Sequence, residues 1–384
     1  MSIPSFVMMK NPTIAFISLN DPADPQTWSG IPFSILTYLR RAGAHVEVIG
    51  PLSRKSRYLL SLRWAKSKLM KRAYHIEREP LITASYARQI EKHMRGRRFD
   101  AILSLETFLT SQLNRSEPIT SWCDATWDLM VDYYYSNPTK AFRKRASLNE
   151  QQALERAEHA VYASDWAAAS AKKYYRVPDK KLAVIPFGAN LEIKHGKDDI
   201  ENFVSARSRE SCTLLFLGVD WERKGGQIAV EAARLLNLRG LKTQLIVAGC
   251  SVPGEKHAFV TELGFISKRT EEGRSKIAEL LRTSNFLIFP TRAECAGIVL
   301  SEASAFGLPI ITTDTGGIAT YVSQEMNGVR LPLTAGAEIY ADHILRIFRD
   351  QSTYRAMAFA GWNEYSGRLN WQSAVSSLLS LLAN

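Results

Sequence analysis

A chain of 384 residues, 46 % apolar and 23 % charged, has the balance of a globular protein and enough material for two cores of ordinary size. No apolar run approaches the roughly 18 to 20 residues that cross a bilayer, and MSIPSFVMMK lacks the basic start, apolar stretch and small-residue cleavage site of a secretory signal, so a cytoplasmic protein is expected. The net charge of +11 is concentrated in residues 51–100, where 14 Lys and Arg face four acids.

In chain order, TIAFISL (13–19) reads as a strand, residues 30–42 as a helix, HVEVIG (45–50) as a second strand and AILSLE (101–106) as a third. Between the last two, YLLSLRWAKSKLMKRAY puts Leu59, Leu62, Leu69, Met70 and Ala73 roughly on one helical face among cations. Over residues 54–72 that pattern suits an anionic membrane surface or a phosphate-bearing acceptor, with a solvated helix covering the sheet as the plainer alternative. Nucleic acid is the weaker partner, because no binding motif accompanies the charge. A long helical stretch is expected over about 139–176, and the polar run 190–211 reads as a linker. Beyond it, strands CTLLFLGV (212–219), TQLIVAG (243–249), FLIFP (286–290) and LPIITTD (308–314) alternate with helices at about 226–239, 272–283 and 297–306. The alternation predicts an α/β protein with two doubly wound, Rossmann-like parallel sheets: an amino-terminal domain over 1–190 and a second over 205–360.

Ligands of such sheets bind at the carboxyl ends of the strands, so the loops after strands carry the chemistry. Gly-x-Gly-x-x-Gly, Gly-x-x-x-x-Gly-Lys-Ser/Thr, His-Glu-x-x-His and Gly-x-Ser-x-Gly are all absent. Cys123, Cys212, Cys250 and Cys295 are scattered and read as reduced core thiols, with no metal site expected. Arg223 and Lys224 stand between a strand and a helix, where free helix amides already favour an anion; this outlines a diphosphate site, with a solvated turn as the alternative. Gly297 closes a second such junction and lets backbone approach a ligand. Glu294 and Glu302 on one straight helix would lie about 12 Å apart along its axis, farther than the carboxylate pair of a glycoside hydrolase. With Glu294 in the loop and Glu302 in the helix, the first suits hydroxyls of a transferred sugar and the second a ribose diol; a helix-surface acid is the alternative for Glu302. Gly30 is a candidate for close backbone approach to the donor diphosphate or the acceptor, and Gly316 and Gly317 are candidates to line the donor cleft, each against ordinary turn chemistry. Trp28 and Trp127 could stack on sugars, although aromatics of this size are more often core.

Together, ECAGIVLSEASAFGLPII, GVDWERKGG and AEHAVYASDWAAASAKKYYRVPDKKLAVIPFGAN resemble the retaining glycosyltransferases of family 4, over most of residues 150 to 325. DPADPQTWSGIPFSILTYLRRAG resembles the glycine-containing loop and helix that open many members, and the closing segment, about 364–384, looks like the terminal helix that crosses back to the first domain. The resemblance implies the GT-B fold, with its two domains facing each other across a cleft, the first binding the acceptor and the second a nucleotide diphosphate sugar. It implies that Glu294, Ala296 and Gly297 hold the donor sugar, that Glu302 binds the ribose, and that Lys224 with a partner arginine, here Arg223, holds the diphosphate. Where the family often has Glu-Gly-Phe-Gly this chain has Glu294-Cys295-Ala296-Gly297; Val219 stands where arginine is frequent, and Asp124 is nearest the position of a frequent histidine. These departures leave sugar identity and the catalytic assist open. The expectation is a metal-independent hexosyltransferase acting on a lipid-linked or glycan acceptor, peripheral on the cytoplasmic face of a membrane. A silent nucleotide-sugar-binding scaffold, or another GT-B enzyme such as an epimerase or phosphorylase, is the alternative.

Overall fold

The computed structural model describes residues 11–383, and the amino-terminal stretch read for a targeting signal lies outside them. The chain divides into two compact units, Met1–Ile185 with Ala374–Asn384, and Pro186–Ser373. Among the described residues each unit is built on one six-stranded sheet with helices packed on it.

In the first unit, β1 (Thr13–Ile17), β2 (His45–Ile49), β3 (Ala101–Ser104), β4 (Ile119–Cys123), β5 (His159–Tyr162) and β6 (Leu182–Val184) lie in the order β2-β1-β3-β4-β5-β6. In the second, β7 (Cys212–Leu217), β8 (Thr243–Ala248), β9 (Val260–Glu262), β10 (Phe286–Phe289), β11 (Ile310–Thr313) and β12 (Gly328–Leu331) lie in the order β12-β11-β10-β7-β8-β9. Every neighbouring pair is parallel. The central strands β3, β4, β10 and β11 are buried at every residue, as continuous apolar runs covered on both faces must be. Each sheet therefore has one place where neighbouring strands send their chains in opposite directions: between β1 and β3, and between β7 and β10. Ligands of doubly wound sheets sit at that place.

Three local readings are corrected. The stretch 139–176 is not one helix: Lys140–Arg156 and Asp165–Tyr175 are helical, and β5 lies between them. Ala160, Val161 and Tyr162 are fully buried, so sheet packing decides a segment whose local helix signal continues on either side. The polar run 190–211 contains the helix Lys197–Ala206, whose Ile200 and Val204 enter the second unit's core, so it is part of that domain rather than a linker. Arg207, just beyond, is buried and donates to the carbonyls of Leu281, Arg282, Phe306 and Gly307 and to the Tyr354 hydroxyl. Lastly, the basic segment does not cover the sheet. Its 3-10 turn Lys55–Leu60 and helix Ser61–Leu69 bury no residue; Leu62 and Leu69 are each 86 % exposed, with Tyr58, Leu59, Trp64 and Met70 exposed beside them. Among the described residues no helix is long and apolar enough to cross a membrane.

The closing segment is two helices, Gln351–Gly367 and Trp371–Leu382, and from Ala374 onward it belongs to the first unit. A linker would tolerate loss of its apolar side chains. Ile200→Ala should instead destabilise the second unit by about 2 to 5 kcal/mol, read as a lower urea midpoint.

Candidate active site

After β7 the chain turns through Gly218 to Gly225 into the helix Gly226–Leu238; after β10 it runs through Pro290 to Gly297 into the helix Ile298–Ala305. These are the two loops that diverge at the second unit's switch point, and hydrogen bonds join them. The Arg292 amide donates to the Arg223 carbonyl (2.7 Å), and Arg223 Nη1 donates to the Ala293 carbonyl (3.0 Å). Gly225 closes the first turn with φ of 73°, and a Cβ there would lie 2.1 Å from the Pro290 carbonyl oxygen. Both facts require glycine, and the close approach brings the base of one loop against the other.

Lys224 Nζ is ion-paired with Glu294 Oε2 and lies 4.4 Å from the centroid of the Phe289 ring. Burial lowers the Lys224 pKa; Glu294 opposes that shift and Arg223 adds to it. Arg223 Nη1 reaches within 4.0 Å of the same carboxylate oxygen, while its Nε is held by Asp220. Glu294 is thus a buried acid with two cations against it, one of them carried into the helix amino end where an anion is favoured. Gly317 donates its amide to the Glu294 carbonyl (3.0 Å), and a Cβ on Gly297 would lie 3.5 Å from Glu294 Cγ. Glu294, Lys224, Arg223, Gly297 and Gly317 are therefore assembled in one place, with Ala296 and Gly316 as their chain neighbours.

Glu302 lies in the second turn of Ile298–Ala305, only 2 % exposed, and is ion-paired with Lys268 Nζ. The surface-acid alternative is excluded by that burial. Lys268 is a residue that the sequence reading does not single out; nothing in its spacing announces a partner 34 positions away. The remaining candidates belong to the first unit. Asp124 follows β4 at its carboxyl end and is partly buried. Gly30 opens the helix Ile31–Arg41 with φ of 83°, after Trp28 and Ser29, which also hold positive φ. Trp28 and Ser29, unlike Gly30, bear a cost in that region, so two successive residues store strain in the loop after β1. Trp127 is fully buried against His75, Tyr135 and Phe142, so it is core. Among the described residues no group of three or more His, Cys, Asp or Glu is placed to hold a metal ion.

Residues 33–193 match the model described as Glycosyltransferase Family 4, and residues 198–362 match that of Glycosyl transferases group 1. The chain belongs to this glycosyltransferase family. It is 30 % identical over 205 residues to the lipopolysaccharide glucosyltransferase WaaG of Escherichia coli, covering 51 % of this chain and 54 % of that protein. It is 25 % identical to the D-inositol 3-phosphate glycosyltransferase of Nocardiopsis dassonvillei, over 60 % of this chain and 57 % of the relative. The chain thus spans little more than half the length of these curated relatives. Among solved structures, sucrose-phosphate synthase of Thermosynechococcus elongatus matches with a TM-score of 0.68 at 19 % identity, covering 96 % of this chain and 97 % of that one. HepE of Anabaena, in complex with UDP and glucose, matches with a TM-score of 0.61 at 15 % identity, covering 96 % and 98 %. These likenesses carry the GT-B fold.

The Lys224–Glu294 pair yields a stability prediction for this family member. Glu294→Ala leaves a buried ammonium without its carboxylate and should cost about 3 to 5 kcal/mol, whereas Lys224→Met, which leaves Glu294 beside Arg223, should cost less. Because burial depresses the Lys224 pKa in the fold, the unfolded chain binds more protons, so the Glu294→Ala deficit should shrink as pH rises from the folded value toward that of a free lysine. Chemical denaturation of both variants across that range checks the order and the sign.

Proposed function

We propose that the chain is a retaining, metal-independent glycosyltransferase that moves a hexose from a nucleotide diphosphate sugar to a lipid-linked or glycan acceptor. The observation that carries this is the pair of buried acids, Glu294 and Glu302, each held by a lysine at the carboxyl edge of the second sheet. A carboxylate kept in place by an ammonium is ready to accept hydrogen bonds from sugar hydroxyls without reorganising. The names of the relatives support the class: one is a glucosyltransferase of lipopolysaccharide, the other acts on D-inositol 3-phosphate, and HepE is captured with UDP and glucose.

In this reading Glu302 takes the ribose diol, with Lys268 giving way or turning to the nucleotide. Glu294, with the amides of Ala296 and Gly297, takes the donor sugar, and Gly316 and Gly317 line it. As the anomeric C–O bond breaks, its electron pair goes to the diphosphate. Lys224, Arg223 and the free amides of Gly226–Leu238 stabilise that growing charge in place of a metal. The acceptor oxygen forms the new bond on the face the diphosphate leaves, and its proton passes to the departing phosphate oxygen. The first unit handles the acceptor, with Gly30 in its strained loop and Asp124 assigned the assisting role.

The exposed leucines and cations of residues 54–72 form an amphipathic surface suited to anionic lipid, which would place the enzyme peripherally on the cytoplasmic face.

A matching nucleoside diphosphate, chosen from the uridine, guanosine and adenosine compounds, should raise the melting temperature by roughly 5 °C at saturation. Glu302→Ala should remove that shift, and both Glu302→Ala and Lys224→Ala should abolish transfer with circular dichroism unchanged; full activity in both variants refutes the assignment. The chain should also sediment with phosphatidylglycerol vesicles at low salt, and neutralising Lys66, Lys68, Lys71 and Arg72 together should release it. Absence of vesicle binding at low salt would favour a soluble acceptor.

A further inference from the structure

The helix Lys140–Arg156 carries a polar stripe at Arg145, Asn149, Gln152 and Arg156, positions three or four apart that share one face. Asn149 is buried, and its Nδ2 donates to Thr83 Oγ1 (3.2 Å), so the stripe turns toward the helix Pro80–Met94. The segment after the turn Thr107–Leu109 joins the same place through Gln112, whose Nε2 donates to the Pro80 carbonyl (2.8 Å) and to the Thr83 hydroxyl (2.6 Å). These three segments border a cleft of about 500 Å³, the size of a small-molecule site. All of its lining belongs to the first unit, and neither Gly30, Asp124 nor the basic segment 54–72 contributes to it.

The lining has a definite chemistry. Arg145 donates from Nε (2.8 Å) and Nη2 (2.6 Å) to the two oxygens of Glu79, which answers its charge and leaves Nη1 without a partner among the described residues. Arg156 has no ion pair among the described residues; one bond, from Nη1 to the Leu113 carbonyl (3.1 Å), fixes its guanidinium and leaves its other nitrogens open. Gln112 uses both Nε2 hydrogens within the protein, so its carbonyl oxygen remains as an acceptor. Gln152 is exposed, has no partner among the described residues, and can donate and accept. No Asp or Glu lines the cleft. It therefore offers one unanswered positive charge, at Arg156, followed by neutral carboxamides and one further guanidinium N–H. A guanidinium grips phosphate oxygens in pairs, while carboxamides exchange hydrogen bonds with hydroxyls. Pro80 and Leu148 give the carbon frame of such a ligand an apolar wall.

We propose that this cleft binds a phosphate monoester of a polyol, with the phosphate on Arg156 and the hydroxyls on Gln152, Gln112 and Arg145 Nη1. The site is separate from the paired charges of the second unit and does not depend on the transferase reading.

The test is calorimetric titration of the full chain with glucose 6-phosphate and ribose 5-phosphate, beside glucose, ribose and inorganic phosphate. At least one ester should bind with a Kd below about 1 mM, and its parent sugar and inorganic phosphate about tenfold or more weakly. Gln152→Glu sets a carboxylate four residues before Arg156 on the same helical face, where it pairs with that cation and supports the helix. This variant should weaken the ester about tenfold or more with the melting temperature held, and Arg156→Gln should weaken it alike. Lys224→Met, in the other unit, should leave the affinity unchanged. The proposal is overturned if neither ester binds up to about 10 mM, or if inorganic phosphate binds as tightly as the esters. It is overturned equally if the affinity survives both Gln152→Glu and Arg156→Gln, or if Lys224→Met is the variant that abolishes it, which assigns the phosphate to the second unit.

Discussion

A buried ammonium set against a buried carboxylate, Lys224 on Glu294, is the contact that joins the two loops at the second unit's switch point. Each charge would be intolerable there alone, and each comes from a different loop, so the pair can form only if strands β7 and β10 lie side by side and release their chains in opposite directions. Gly225 against the Pro290 carbonyl and Arg223 against the Ala293 carbonyl make that approach close enough. The result is a charged site built from backbone geometry first and side chains second. This explains how it survives departures such as Val219 and Cys295, which alter neither the sheet order nor the pair.

The same logic separates what was readable in the sequence from what was not. Apolar runs such as FLIF and IITT are buried on both faces and say strand unambiguously, and the loops after them follow. Glu294, Lys224 and Arg223, which the structure brings together, could be singled out because each lies within a few residues of the end of a strand. HAVY was hidden because alanine-rich helical sequence continues on both sides of it, and only pairing with β4 and β6 decides its state. The helix Lys197–Ala206 was hidden by composition: Ile200 and Val204 are two apolar positions in a polar run, too few to outweigh it. Lys268 was missed for a deeper reason. Its significance lies in a partner, Glu302, that only the folded chain supplies.

The two units share a topology rule but solve it differently. In the second, the switch point is filled by charge that is already paired. In the first, the loop after β1 is strained at Trp28 and Ser29, which hold positive φ before Gly30.

Arg207 is buried behind the second unit's core. Its guanidinium gathers carbonyls from the carboxyl ends of two helices, Glu271–Thr283 and Ile298–Ala305, and the second of these carries Glu302. A positive charge is favourable at that pole of each dipole, so one side chain anchors both rods from behind. The buried Glu302 is therefore positioned from behind as well as by Lys268, and a lesion at that arginine would shift the acid without touching any atom of it.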